Sequence, residues 1–437
     1  MTAEILIMNR EAVALAADSA VVLGFESSHK VFHSAKKVFA LSKYQPVGIM
    51  IFGNVRFMGV PWETIIKTYR DQLDNTEFDK LIDYAKDFLN YLDNNTRLFP
   101  EETQLNYGRR KIFYYLSNIK NEIQTQVKNQ IENQGSIDYY KITKIISETI
   151  ASHYSLWSEC KKLDIFLKSR YEKNIKIKFN EIIDSTLKVV FQKLPLNHDH
   201  IRQLKAIALS LFIKTNEKYT KLLAKSLTGV VIAGFGRNDV FPSSRSYLLE
   251  SVSCDKLKYT LYSEGDITHE KSVCVEPFAE REMVDVFLLG GVGYFVRYHA
   301  PEFNTILEHA IERESDIGLK NEQKKKIMKL VPDSFDHISL ESNASLNQIK
   351  NMISEIPKQE LAELAESLIN ITTLKQRFMV KDETVGGPID VAIITKGDGF
   401  IWIKRKHYFE AKLNPHFVKK CFGDKYEQGK ITYGNSG

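Results

Sequence analysis

The chain has 437 residues, longer than a usual single domain, with 43% hydrophobic and 26% charged residues, a balance that suits a globular protein and excludes a disordered or low-complexity polymer. A net charge of +5 over this length does not by itself imply nucleic acid. Apolar runs stay below membrane-spanning length, and the N-terminus lacks the charged start and small-residue cleavage site of a secretory signal. The expectation is a cytoplasmic protein with no membrane partner and no specific nucleic-acid partner.

In chain order, Ala3 to Met8 predicts a strand, Asn9-Arg10-Glu11 a tight turn, and Ala12 to Ala17 a second strand that is apolar throughout and so buried on both faces. Asp18 ends that run. A third strand is expected at Lys36 to Leu41 and a fourth at Val47 to Phe52, running into Gly53-Asn54. Pro61 suits a first helical turn, and Trp62, Ile65, Ile66, Tyr69 and Leu73 follow at helical spacing.

Residues 75–225 predict a long helical block. Ile112, Leu116, Ile119, Ile123, Val127 and Ile131 recur at three and four residues without glycine or proline, the pattern of a helix burying one stripe. A second addition, about Arg297 to Glu355, predicts a helix at Phe303 to Arg313, a lysine-rich helix at Asn321 to Leu330 and a polar loop at Pro332 to Ser345. A helix at Glu360 to Ile371, a strand at Ile389 to Thr395 and a hairpin at Lys396 to Gly399 close the ordered part, before a basic, aromatic tail beyond Lys406.

Competing motifs are absent. Gly290-Gly291-Val292-Gly293 lacks the G-K-[ST] ending of a phosphate loop, and the chain has neither a G-x-S-x-G elbow nor an H-E-x-x-H helix. Cys160, Cys254, Cys274 and Cys421 form no C-x-x-C pair, so no metal, cofactor or disulfide framework is expected.

Taken in order, Thr2, then A-A-D-S, then K-K-x-F-x-L, then G-I-M-I-x-G resembles the opening of proteasome β subunits and their bacterial relatives, an N-terminal nucleophile hydrolase family. Further on, Leu227 to Phe235, with G-V-V-I-A-G-F, and Arg245 to Leu249 resemble successive strands of that family, Val286 to Gly293 occupies the place of its glycine turn, and Asp382-Glu383-Thr384-Val385-Gly386-Gly387 is similar to its final motif. The resemblance implies an α+β fold, a four-layer αββα sandwich with a large inserted α-helical domain. It divides the chain into a core at 1–74, 226–300 and 355–404, helical insertions at 75–225 and 301–354, and a tail at 405–437.

It also implies site residues. Thr2 matches the nucleophile once Met1 is removed, Asp18 the buried aspartate, Lys37 its lysine partner, Gly53 the oxyanion donor and Asp382 a second supporting aspartate; Val21, Ala35, Ile51 and Val55 match the substrate pocket. The chemistry suits those residue types. A threonine hydroxyl needs a base, and an α-amine with an ordinary pKa of about 7.7–8.0 supplies one near neutral pH, the more so beside a cation. Two departures stand out: the family's supporting serines are replaced by Val292 or Gly291 and by Val385.

The expected activity is amide hydrolysis of a peptide or protein through an ester intermediate. The expected partners are a second copy of the chain, and an unfoldase or other protein docking on the helical insertion. A small-molecule amidohydrolase and a catalytically silent assembly or sensor module are the alternatives.

Overall fold

The first hairpin shows why these residues form strands. Every residue from Ala3 to Met8 and from Ala12 to Ala17 is buried, and Asn9 closes the turn between them, its Oδ1 accepting from the N–H groups of Glu11 and Ala12, each at 3.0 Å. Its Nδ2 donates to the carbonyls of Ile353 and Ile356, so the same side chain ties the turn to a distant helix end. The computed structural model describes residues 3–23, 30–93, 95–167, 170–223, 227–313, 321–379, 386–406, 409–410 and 413–416.

The strands are β1 (Ala3–Met8), β2 (Ala12–Ala17), β3 (Val21–Leu23), β4 (Lys30–Phe32), β5 (Val38–Ala40), β6 (Val47–Gly53), β7 (Arg56–Phe57), β8 (Val60–Pro61), β9 (Thr228–Gly234), β10 (Ser243–Ser253), β11 (Lys256–Asp266), β12 (Cys274–Ala279), β13 (Asp390–Thr395) and β14 (Gly399–Lys404). They build two five-stranded antiparallel sheets, ordered β12-β1-β2-β13-β14 and β11-β10-β9-β6-β5, and two small hairpins. The helices are α1 (Trp62–Leu73), α2 (Leu81–Asp93), α3 (Glu101–Gln134), α4 (Tyr139–Glu159), α5 (Tyr171–Phe191), α6 (His198–Ile213), α7 (Glu217–Leu222), α8 (Glu282–Arg313), α9 (Asn321–Glu355) and α10 (Lys358–Met379). The fold is therefore mixed α/β with antiparallel sheets.

Alternation along the strands sorts the apolar side chains into distinct cores. Leu6, Met8, Val13 and Leu15 from the first sheet meet Met50, Phe52, Val231 and Ala233 from the second in one cluster. The opposite face of the first sheet, with Ile5, Ile7, Ala14 and Ala16, packs on α8, α9 and α10. The second sheet turns Ile49, Ile51, Val230 and Ile232 toward Trp62, Ile65 and Ile66 of α1 and Tyr84 and Phe88 of α2.

Helices α3 to α7 enclose a core of their own. Ile112, Leu116, Ile119 and Ile123 lie fully buried in it, Val127 packs at its margin, and Ile131 at the end of the stripe is exposed. Gly108 lets α3 approach α5 closely, because a Cβ there would sit 2.1 Å from the Phe179 ring. Asp138 and Asn197 cap α4 and α6 by accepting from the N–H groups of Lys141 and His200.

Two expectations need correction. The polar loop at Pro332 to Ser345 is helical, the middle of α9, since a proline removes only one helical hydrogen bond and packing against α8 offsets that loss. Phe335 meets Phe303 edge-on at 5.9 Å, and Ser342 Oγ donates to the Leu289 carbonyl at 2.7 Å. The glycine turn at Val286 to Gly293 is instead part of α8, broken by a kink at Gly290, whose φ of 72° is left-handed. No helix among the described residues is long and apolar enough to cross a membrane.

Candidate active site

Lys37 precedes β5, and its carbonyl accepts from the Ile51 N–H at 2.8 Å, which fixes it beside the neighbouring strand β6. Its side chain leaves the second sheet for the first, where Nζ pairs with Asp18 Oδ1 and lies 2.9 Å from Glu4 Oε1. All three side chains are essentially sealed from solvent. Burial alone pushes the Lys37 ammonium toward deprotonation, but Glu4 and Asp18 outweigh it and raise its pKa above the ordinary lysine value.

Asp18 is the hub. Its N–H donates to the Ala3 carbonyl at 3.0 Å, its Oδ1 accepts from the Ala3 N–H at 3.2 Å, and its Oδ2 accepts from the Gly386 N–H at 2.8 Å. The next residue extends the bracing. Ser19 N–H donates to the Gly386 carbonyl, Ser19 Oγ to the Pro388 carbonyl, and the Ala35 N–H to the Ser19 carbonyl. Three separated stretches of chain, at Ala3, Lys37 and Gly386, thus converge on one buried carboxylate.

A second buried pair flanks the first. Asp390, opposite Ala17 in the β2–β13 register, accepts from the Lys406 N–H at 2.8 Å and pairs with its Nζ at 2.6 Å. Burial pushes the Lys406 ammonium below the ordinary lysine value despite Asp390, and Lys37 and Asp18 are close enough to act on it.

Gly53 ends β6 with φ +76°, and a Cβ there would lie 3.0 Å from the Leu227 carbonyl oxygen, so the backbone conformation itself requires glycine. Thr228, opposite Gly53 in the sheet, donates from Oγ1 to the Asn54 carbonyl and accepts from Trp62 Nε1, which anchors this strand end to α1.

No family model matches the chain, and no curated protein does. Among solved structures, it is similar to Anbu from Hyphomicrobium sp. strain MC1, at 9% identity and a TM-score of 0.25 over 98% of this chain and 100% of that one. A mutant of the same protein gives 7% identity and a TM-score of 0.27 over 99% of this chain and 100% of its own. The expected family is corrected accordingly. Similarity this shallow assigns none, and membership of the proteasome β-subunit family does not stand. What remains is the site's own chemistry.

The structure brings Asp18 and Lys37 into contact, with Gly53 two residues beyond Ile51, whose N–H binds the Lys37 carbonyl. Thr2, Asp382 and Val385 lie outside the described residues, although Gly386, four residues after Asp382, bonds directly to Asp18. Of the pocket candidates, Val21 is buried, Ala35 and Val55 are half-buried, and Ile51 belongs to the core shared with α1 and α2. Val292 is 63% exposed on α8, and Gly291 is exposed beside it.

Sequence reasoning missed Glu4. Its signal was present: a carboxylate in an otherwise apolar strand, at a position that alternation places on the face shared by Leu6 and Met8. A charge buried there needs a cation, and Lys37 supplies it.

Proposed function

We propose that the chain is an N-terminal threonine hydrolase that cleaves amide bonds of peptides or proteins once removal of Met1 exposes the Thr2 amine. The observation that carries this reading is the buried Lys37–Asp18 pair hydrogen-bonded to the N–H of Ala3, the residue after Thr2. Chain connectivity keeps Thr2 within one peptide unit of that bond.

In this reading the Thr2 amine accepts the hydroxyl proton, Oγ attacks the substrate carbonyl carbon, and the Gly53 N–H donates to the developing oxyanion. The C–N bond breaks, the leaving amine takes the proton, and an ester links the acyl group to Thr2. Water, deprotonated by the same amine, then attacks the ester and regenerates the hydroxyl. Asp18 holds Lys37, and Asp382 is assigned a supporting role at the terminus. Val21, Ala35, Ile51 and Val55 are assigned to the substrate pocket, giving an apolar preference before the scissile bond.

The three shared cores support a helix–sheet–sheet–helix layering, with the α3–α7 block as an inserted domain. We place the protein in the cytoplasm, assembled with copies of itself so that the site is enclosed.

Intact mass after incubation with a β-lactone or epoxyketone probe tests the reading. The expected result is a chain lacking methionine that gains one adduct, lost in Thr2→Ala. A methionine-free chain that gains no adduct at any pH would rule the nucleophile out.

A further inference from the structure

Beyond its Gly290 kink, α8 carries an apolar row that faces solvent. Val292 is 63% exposed, Phe295 45%, Phe303 44% and Ile306 66%, and His299 between them is exposed as well. At about 100° per residue these five positions fall within roughly 80° of the helix circumference, so they form one face. The neighbouring flank is where α9 packs. Phe335 meets Phe303 edge-on there, and a Cβ at Gly293 would lie 2.0 Å from Ser342 Oγ, yet the row itself stays open.

The row is symmetric about His299. Phe295 and Phe303 stand four residues to either side of it, and Val292 and Ile306 seven. A contact between identical surfaces across a two-fold axis requires that residue i meet j while j meets i. A second α8 running antiparallel, with the axis at His299, satisfies this: Val292 faces the partner's Ile306, and Phe295 faces the partner's Phe303. Charge agrees with the pairing. Glu302, at the edge of the row, falls opposite the partner's Val296 and roughly 9 Å along the helix from the partner's Glu302. Arg297 and Glu308 lie on the far side of α8, roughly 160–180° from the row, so no like charges of this helix meet.

We propose that this face of α8 is a contact between two copies of the chain, packed antiparallel about a two-fold axis at His299. It gives the self-association proposed above a surface, and it does not rest on Thr2 or on any reaction. Four apolar side chains, each about half exposed, offer roughly 400 Å² per copy, about half of one side of a standard interface. By itself the contact is therefore a weak one, formed in the micromolar range or above.

The test uses the full chain. Sedimentation velocity across micromolar concentrations should show self-association whose dissociation constant rises roughly tenfold or more in Phe295→Glu and in Phe303→Glu, because each sets a carboxylate against an apolar partner surface. Since the face is exposed, circular dichroism of both variants should match wild type. Oxidative cross-linking locates the axis without weakening the contact. His299→Cys should yield a covalent dimer and Arg297→Cys, on the far side, should not, with the wild-type chain and its own four cysteines as background. A chain that stays monomeric throughout overturns this contact and the self-association proposed above together. An assembly that keeps its size and affinity in Phe295→Glu, or that cross-links as readily through Arg297→Cys as through His299→Cys, overturns this contact alone.

Discussion

Burying a lysine ammonium costs several kcal/mol unless carboxylates surround it, and Lys37 meets two. Replacing it with methionine keeps the volume and leaves Glu4 and Asp18 as uncompensated buried charges. Lys37→Met should therefore lose about 3–5 kcal/mol in denaturant unfolding. The pH dependence carries the same signature. The folded pKa of Lys37 lies above its unfolded value near 10.5, so its contribution is complete below that value and disappears as pH rises through the higher folded pKa. Wild-type and Lys37→Met stabilities should run parallel from neutral pH up to about pH 10 and converge above it. Parallel curves throughout the alkaline range would mean that Lys37 does not titrate with unfolding. Asp18 and Lys37 were legible in the sequence as polar residues ending and opening buried strands. Glu4 was not singled out, because its significance depends on a partner 33 positions away.

Elements meet across a second ionic cluster. Glu250 on β10 lies 2.6 Å from Lys111 Nζ on α3 and 2.8 Å from Lys258 Nζ on β11, and accepts from the Tyr219 hydroxyl of α7 at 2.7 Å. Despite burial, the two lysines hold its carboxyl down to about 2, whereas burial drives Lys258 down to about 8 because one carboxylate cannot fully offset two ammoniums. Glu250→Gln strands both cations and should cost about 3–5 kcal/mol, whereas Lys258→Met leaves the single Lys111–Glu250 pair and should cost clearly less. Urea unfolding of the two variants decides the order; equal losses would mean the cluster does not join helices to sheet through Glu250. The Glu250 contribution is present above its unfolded pKa near 4.5 and fades as pH falls toward 2. Helix periodicity was readable within α3, but nothing local in the chain pairs Lys111 with Glu250. The uninterrupted α9 illustrates the same limit, since Pro332 and its polar neighbours read as a loop until α8 supplies a packing surface.

At the scale of the molecule, the helices do not form one undivided addition. Tyr84 and Phe88 of α2 lie in the core beneath the second sheet together with α1, while α3 to α7 close around a separate core. Excising Glu101 to Leu222 and bridging the gap with a flexible linker should therefore leave the two sheets cooperatively folded. Excision from Asn75 onward, which takes α2 as well, should not. Circular dichroism and cooperative thermal unfolding of the two proteins provide the comparison, and failure of both would make the α3–α7 block part of a single folding unit.

The chain by itself determined where the strongly periodic strands and helices form, because burial of apolar side chains at periods of two and near 3.6 is a local property that survives without knowledge of neighbours. Ala3 to Met8, Ala12 to Ala17 and the stripe from Ile112 to Ile123 all follow from it. Beyond the expected Asp18–Lys37 pair, tertiary structure decided which charges meet. Glu4 faces Lys37 through the register of β1 in one sheet and the approach of β5 in the other, Gly386 reaches Asp18 across 368 positions, and Glu250 finds Lys111 across the seam between helices and sheet. Electrostatic interactions depend on distance in space and on exclusion of water, and neither is encoded at any single position of the sequence.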